Sequence, residues 1–320
     1  MARLGFNLMA VEELYGGRFA GILEAATLAD RMGVDLLVLP DHVTISEQAH
    51  RDRVTLGFPY PIPTNWFEPL TALAAVAAVT ERARLGTNVL IAPIRPAVLL
   101  AKQLATLDVI CGGRLDVGLG AGWQEEEYRV TERPFERRFG YLEEQVAVCR
   151  ALWAGGPAAH AGHRVDFTDL HSMPVPVQGA DLRLSFGFNP TPRAIERIVR
   201  HGVGWWAAPM PIEDVRAAIA GIRAECGRVG RDPAEVTVTA ATTLVPHGKS
   251  AGEVGAMPVV QEAQALWDAG ADCVIVHPLA FVRAPQELPG FLQPLLDARD
   301  AVRSDARDAV RPHASRTTLS

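Results

Sequence analysis

The sequence predicts a (β/α)8 barrel with loop insertions at the C-terminal face of its strands. Three observations predict it. Short β-branched runs alternate with longer helical patterns, as in repeated βα units on a parallel sheet. The alternation reaches eight units, where a doubly wound sheet shows about five to seven. The first βα turn also lacks the glycine fingerprint of a dinucleotide-binding fold. The 320 residues exceed the usual single-domain size, but α/β barrels of this length fold as one unit. Residues 1–304 are therefore taken as one barrel domain and 305–320 as a polar C-terminal tail without apolar period.

"RLGFNLM" (3–9) reads as the first strand. From Phe19 to Met32, the residues Ile22, Leu23, Ala26 and Ala29 share one helical face, and Gly33 ends the helix. "VDLLVL" (34–39) is the second strand, followed by a long Pro- and Gly-bearing loop (43–67) and a helix around 68–80. "ARLGTNVLIA" (83–92) is the third, and Pro96 is placed to start a helix that stops at "CGGR". "LDVGLG" (115–120) is the fourth, with a helix over roughly 136–154. The segment 155–180 breaks the rhythm as an extended excursion of hairpin character. Regularity resumes with "LRLSFG" (182–187), a helix from about 192, "GVGWWAA" (202–208) and a helix from about 212. "EVTVTAATTLV" (235–245), a helix near 257–269, "DCVIVHP" (272–278) and a helix near 285–303 complete the set.

A formal charge of −6 offers no electrostatic footprint for nucleic acid or an anionic membrane. Cys111, Cys149, Cys226 and Cys273 are far apart, with no C-x-x-C pair, and read as reduced thiols in a core. The start "MARLGFNLMAVEE" lacks the basic and apolar regions of a signal peptide, and no run reaches membrane-spanning length. The expectation is a cytoplasmic protein that acts on a small molecule.

"VDLLVLPDHV" (34–43) delivers Asp41 and His42 at the tip of strand two. In a barrel of this kind the reactive site forms at the C-terminal strand ends, so both residues face the mouth. A capping Asp and a surface His fit the same geometry. "GLGAG" (118–122) has the form G-x-G-x-G, without the spacing or the following acidic residue of a dinucleotide fingerprint. Its glycines instead let a flat ring or a ribityl-like chain lie against backbone. In "SFGFNPTPRAIERI" (185–198), Asn189 or Thr191 can cap a helix whose first residue is Pro190 or Pro192. That helix start, with Arg193, is a candidate anion site and equally an ordinary capped helix. "HAGH" (160–163) with Asp166 lacks ligand spacing and a third ligand, so no metal is expected. His277 ends strand eight and shares the mouth with His42. "GFPYPIPTNW" (57–66) suits a stiff lid over it.

Together these stretches resemble the luciferase-like flavin oxidoreductases, a superfamily of (β/α)8 barrels that includes bacterial luciferase and the coenzyme F420-dependent dehydrogenases and reductases. The matching stretches are "LVLPDHV" (37–43), "FPYPIP" (58–63), "EPLTALAAVAAVTERARLGTNVLIAP" (68–93), "RPAVLLAKQLATLDVICGGRLDVGLGAGWQEEEY" (95–128) and "RALWAGG" (150–156). The coenzyme F420 subgroup is the one it resembles most. The resemblance implies that Asp41 and His42 sit beside the cofactor ring, with His42 catalytic as proton donor or acceptor. It puts Thr87, Asn88 and Val89 behind the ring, with a non-prolyl cis peptide between Asn88 and Val89. Gly120, Ala121, Gly122 and Trp123 would line the cofactor's chain, and Gly187, Phe188, Asn189 and Arg193 would approach its phosphate.

Three departures bear on the cofactor. Ala121 stands where bacterial luciferase has an arginine on the flavin phosphate, which speaks against FMN. "GFNP" replaces a Gly-Gly pair after strand five, and "GVGW" (202–205) replaces "GDGW". The expected activity is coenzyme F420-dependent hydride transfer to or from a small organic substrate, in a homodimer. The alternatives are a reduced-FMN monooxygenase and, from a different class, a degenerate barrel that binds a flavin without turnover.

Overall fold

The computed structural model describes residues 2–54, 60–243 and 256–310. Residues 57–59 of the expected lid, 244–245 of the seventh strand and 311–320 of the tail lie outside the described residues. The first half of the chain runs β1 (Arg3–Asn7), α1 (Ala20–Met32), β2 (Leu36–Leu39), α2 (Glu47–Val54), α3 (Pro69–Ala77), β3 (Arg84–Ile91), α4 (Ala97–Ile110), β4 (Leu115–Gly120), α5 (Glu125–Val130) and α6 (Arg138–Trp153). Then come β5 (Ala158–Ala161), β6 (Asp166–Leu170), β7 (Arg183–Phe186), α7 (Pro192–His201), β8 (Gly204–Ala207) and α8 (Ile212–Val229). The last elements are β9 (Val238–Ala241), α9 (Ala256–Asp268), β10 (Cys273–Val276) and α10 (Leu288–Val310).

Eight strands close into a barrel in the order β1-β10-β9-β8-β7-β4-β3-β2, and every pairing in it is parallel. This is the (β/α)8 barrel expected from the sequence. Strands such as β2, LLVL, and β10, CVIV, are buried throughout because helices cover one face and the barrel interior the other. The 155–180 excursion is an antiparallel β5–β6 hairpin that sets Ala161 opposite Asp166.

Three elements differ from the sequence reading. Helix α2 lies inside the stretch read as loop. Its sequence, EQAHRDRV, has almost no apolar residue and so no periodic signal; the Ser46 hydroxyl accepts from the Ala49 amide at 3.1 Å to start it. The six-residue α5 lies between the fourth strand and the helix from about 136, a stretch to which the sequence reading assigned no element. Helix α10 continues past Ser304 to Val310, because DARDAV propagates a helix without needing an apolar face.

Inside the barrel, Trp206 of β8 reaches across to β3 and β4. A Cβ on Gly118 would lie 2.7 Å from its indole, and one on Gly86 3.1 Å from it. Those two glycines make the cradle for this ring.

The N-terminal ends of the strands are clamped by carboxylates. Asp35, just before β2, accepts from the Leu4 amide at 2.8 Å, from Arg299 Nη1 at 2.8 Å and from Arg303 Nη2 at 2.7 Å, tying the last helix to the first two strands. Asp116 pairs with Arg3 at 3.2 Å and Arg84 at 2.8 Å. Asp30 accepts from the Glu81, Arg82 and Ala83 amides. Burial alone would raise the pKa of Asp30, but those amides and Arg82 hold it below its usual value.

Asp35→Ala would leave the buried Arg299 guanidinium with Asp300, itself largely exposed, as its remaining carboxylate partner, and would take a partner from Arg303 as well. Breaking a buried pair from one side costs roughly 3–5 kcal/mol, and the partial exposure of Asp35 together with the Asp300 contact puts the expected loss below that range, at about 2 kcal/mol. Urea unfolding of the variant against wild type measures it, with an unchanged midpoint counting against the clamp.

Candidate active site

A cavity of about 710 Å³ opens at the C-terminal ends of the strands. Strand tips supply Asn7, Asp41, His42, Asn88, Val89, Trp206 and His277, and the loops after β4 and β7 supply Gly120–Trp123 and Gly187–Asn189. Arg53, Tyr60 and Trp66 border it from the loop after β2, and Arg138, Phe139, Arg193 and Arg197 from α6 and α7. Every site residue expected from the sequence lies on this wall except Thr87. That residue is fully buried, and its hydroxyl donates to the Gly118 carbonyl at 2.7 Å, joining β3 to β4.

His42 is held by a partner the sequence did not single out. Its Nδ1 lies 3.0 Å from Glu127 Oε2, and Glu127 is fully buried in α5. The other carboxylate oxygen accepts from the Val43 amide at 2.7 Å and the Thr44 amide at 3.4 Å. Gln124 adds two more links to the same loop, accepting from the Ser46 amide at 2.8 Å and donating to the Thr44 carbonyl at 2.6 Å. Trp66 and Trp123 meet the imidazole edge-on at 4.7 and 5.4 Å. The ring is thus fixed, with Nε2 left to face the cavity.

Asp41 also has a partner that the sequence did not single out. It touches the cavity, but Arg95 grips it with two bonds, 2.6 Å to Oδ2 and 3.2 Å to Oδ1, and the Ile91 amide donates to Oδ2 at 2.9 Å. Arg95 also reaches Glu68 at 3.0 Å, whose carboxylate caps α3 through the Thr71 amide. Burial alone would lower the pKa of Arg95, but Asp41 and Glu68 together raise it. Asp41 ties the tip of β2 to the tip of β3.

The Asn88–Val89 peptide is cis, as the resemblance implied. The glycines beside it make room for a neighbour. A Cβ on Gly120 would fall 2.6 Å from Val89 Cγ2, and one on Gly187 2.7 Å from Val89 Cγ1, so both leave room for that valine.

The phosphate end also changes. Ala121 carries no charge, but Arg138 arrives from α6, donates from Nε to the Gly122 carbonyl at 3.2 Å and stacks on Phe135 at 3.7 Å. A guanidinium therefore stands beside this loop after all, and Ala121 alone does not argue against FMN. Thr191 is the cap of α7, accepting from the Ala194 amide at 3.3 Å, with Pro192 as first helical residue. Arg193 and Arg197 follow on that first turn and the next. Arg197 is engaged by Glu143 at 2.5 Å. Arg53 lies over Trp123, 4.2 Å from the ring. Among the described residues no group of three or more His, Cys, Asp or Glu is placed to hold a metal ion.

A family model described as luciferase-like monooxygenase matches residues 4–310. The chain belongs to the luciferase-like monooxygenase family. An uncharacterised protein of Mycobacterium tuberculosis is 32% identical over 192 residues, covering 59% of this chain and 68% of that one. An F420-dependent secondary alcohol dehydrogenase, solved with an F420–acetone adduct, superposes with a TM-score of 0.72 at 16% identity, over 93% of this chain and 98% of that chain. The monooxygenase RslO1 from Streptomyces bottropensis superposes with a TM-score of 0.64 at 22% identity, over 96% and 88%. At these identities the two structures share the luciferase-like fold with this chain. Among the described residues no helix is long and apolar enough to cross a membrane.

His277 is buried on this wall, and burial pushes its pKa down to about 4. Between pH 6.5 and 4 the unfolded chain takes up a proton that the folded one refuses, so this group removes stability as pH falls through that window. The expected loss is about 2 kcal/mol from pH 7 to pH 5. His277→Gln should abolish that part, so urea midpoints of both proteins at the two pH values give the measurement. Equal acid loss in both would show that His277 is not held neutral.

Proposed function

We propose that this luciferase-like protein is a coenzyme F420-dependent oxidoreductase acting on a small organic substrate. The observation that carries the reading is His42, fixed on the cavity wall by the buried Glu127. When bound, the deazaflavin supplies a two-electron hydride carrier. The chain's own residues do the rest. His42 Nε2 would give or take the proton at the substrate oxygen as the hydride moves to or from the adjoining carbon, while Glu127 holds Nδ1 and so fixes the ring in place. Trp66 and Trp123 shield the imidazole from water.

The cavity fits such a cofactor in the chemistry of its walls. The backbone of Asn88–Val89 and Gly120 offers a flat apolar face, and Arg138, Arg193 and the first turn of α7 offer cationic and N–H donors to a phosphate. A second reading, a reduced-FMN monooxygenase, is favoured by Arg138, since a guanidinium beside the glycine loop suits a terminal phosphate monoester as well as a diester.

The free, buried cysteines accord with a reducing compartment, the cytoplasm. The exposed Val98, Leu99, Val109 and Ile110 on α4 are the face we assign to a second copy in a homodimer.

His42→Ala should lower kcat by about 10²–10⁴-fold and leave cofactor affinity within a few-fold. Glu127→Gln should cause a smaller loss together with a shifted pH–rate profile. These are measured with reduced coenzyme F420 and a panel of ketones, and wild-type turnover in His42→Ala sinks the role. In fluorescence titrations at matched salt, coenzyme F420 is expected to bind more tightly than FMN, its longer anionic tail passing the arginines at the mouth. Sub-micromolar FMN binding with no detectable F420 binding would move the protein to the monooxygenase branch.

A further inference from the structure

Among the described residues, four arginines border the cavity, from α2, α6 and α7. Arg197 is engaged by Glu143 at 2.5 Å, and Arg138 donates to the Gly122 and Phe135 carbonyls at 3.2 and 3.4 Å. Arg193 stands in the first turn of α7, beside the N–H groups read above as phosphate donors. Arg53 is the exception. It stands on α2, and no hydrogen bond or ion pair engages its guanidinium among the described residues. The next five residues after α2 in the sequence, TLGFP, include no acid.

This guanidinium is not a freely solvated surface charge. Arg53 is half-buried on the cavity wall, with its Cζ over Trp123, 4.2 Å from the ring centroid. Burial lowers its pKa and no carboxylate raises it again, whereas Asp41 and Glu68 more than offset the burial of Arg95. A guanidinium lying over an indole keeps the N–H donors at its edge free. Such an edge takes a planar, two-oxygen acceptor through two parallel bonds, which is the geometry of a carboxylate. The same indole meets His42. The Trp123 ring lies 5.4 Å from the imidazole, Trp66 lies 4.7 Å from it, and Tyr60 lies 5.8 Å from Trp66. One ring thus separates the unpaired cation from the group that handles the proton.

We propose that Arg53 binds the carboxylate of a keto acid or hydroxy acid substrate, in which a short hydrocarbon stem separates that carboxylate from the reacting carbon. This rests on the oxidoreductase reading above and names the substrate class of the same site. The carboxylate meets the edge of Arg53, the stem lies along Trp123, and the keto or carbinol group comes to His42. A single guanidinium balances a single negative charge, which suits a carboxylate better than a phosphate dianion. Arg53 belongs to the connection after β2, the strand whose tip carries His42. The phosphate donors belong instead to α6 and α7, in the connections after β4 and β7.

The cofactor also carries anions, the phosphate of FMN or the phosphate and carboxylates of coenzyme F420, so the test separates the two sources. The full chain, free and saturated with FMN or coenzyme F420, is titrated calorimetrically with 4-oxopentanoate and with its methyl ester. The ester keeps the ketone and removes the charge. Wild type is expected to bind the acid about 10-fold more tightly, the low end of what a hydrogen bond to a charged group supplies. Arg53→Met should bring the two ligands to about equal affinity, and Arg53→Lys should retain part of the preference, because an ammonium lacks the fork. Both variants should bind FMN and coenzyme F420 as wild type does. Equal binding of acid and ester by wild type would overturn the proposal, and that result needs no variant to fold. So would an acid preference that survives in Arg53→Met. Weakened cofactor binding in that variant would give the guanidinium to the cofactor's anionic tail and overturn it too. An Arg53-dependent acid preference in a protein that binds neither cofactor would keep the substrate assignment while removing the oxidoreductase reading. Turnover of ketones with coenzyme F420 and no acid preference would do the reverse.

Discussion

The buried carboxylate of Glu127 is the contact on which the reactive end of this barrel depends. One oxygen fixes the His42 imidazole and the other gathers the Val43 and Thr44 amides, so a single side chain sets both the ring and the loop that carries it. A charge fully out of water is tolerated only when its lone pairs are taken, and here they are taken by groups from the neighbouring βα loop. The short helix that holds Glu127 thereby docks on the tip of β2, and Trp123 just before it comes to rest against the same imidazole.

The barrel uses carboxylates at both ends, for different purposes. At the N-terminal end Asp30, Asp35 and Asp116 meet arginines and backbone amides from helices and strands distant in sequence, and they close the cylinder. At the C-terminal end Asp41 does the same for two adjacent strands through Arg95 and Ile91, while Glu127 is committed to an imidazole. His277 has no such companion. The two histidines at the mouth differ accordingly: one is hydrogen-bonded to a carboxylate, and the other is desolvated.

Much of this was legible in the sequence, for identifiable reasons. Strands buried on both faces must be apolar throughout, so all eight barrel strands announced themselves, and their tips delivered His42, Asn88, Gly120 and Gly187 to one wall. Helix α2 did not, because eight nearly all polar residues carry no periodic contrast. Glu127 sits in a run of three glutamates, and nothing in "QEEEY" says which of them turns inward. Arg95 and Arg138 act on residues 54 and 16 positions away, a pairing that only closure of the barrel creates. The grip of Arg95 on Asp41 was not legible either, since a strand-tip acid looks the same whether or not a guanidinium meets it.

The valine wedged between Gly120 and Gly187 carries a last consequence. Three strands meet at that point, and the space they share is already full: what one position gains in bulk another must give up. The depth of the pocket is therefore not a property of any one of these residues. A lineage that widened or narrowed this wall would have to change the three in concert, and a substitution at either glycine would register first as a displacement of Val89 and only then as a change in what the cavity admits.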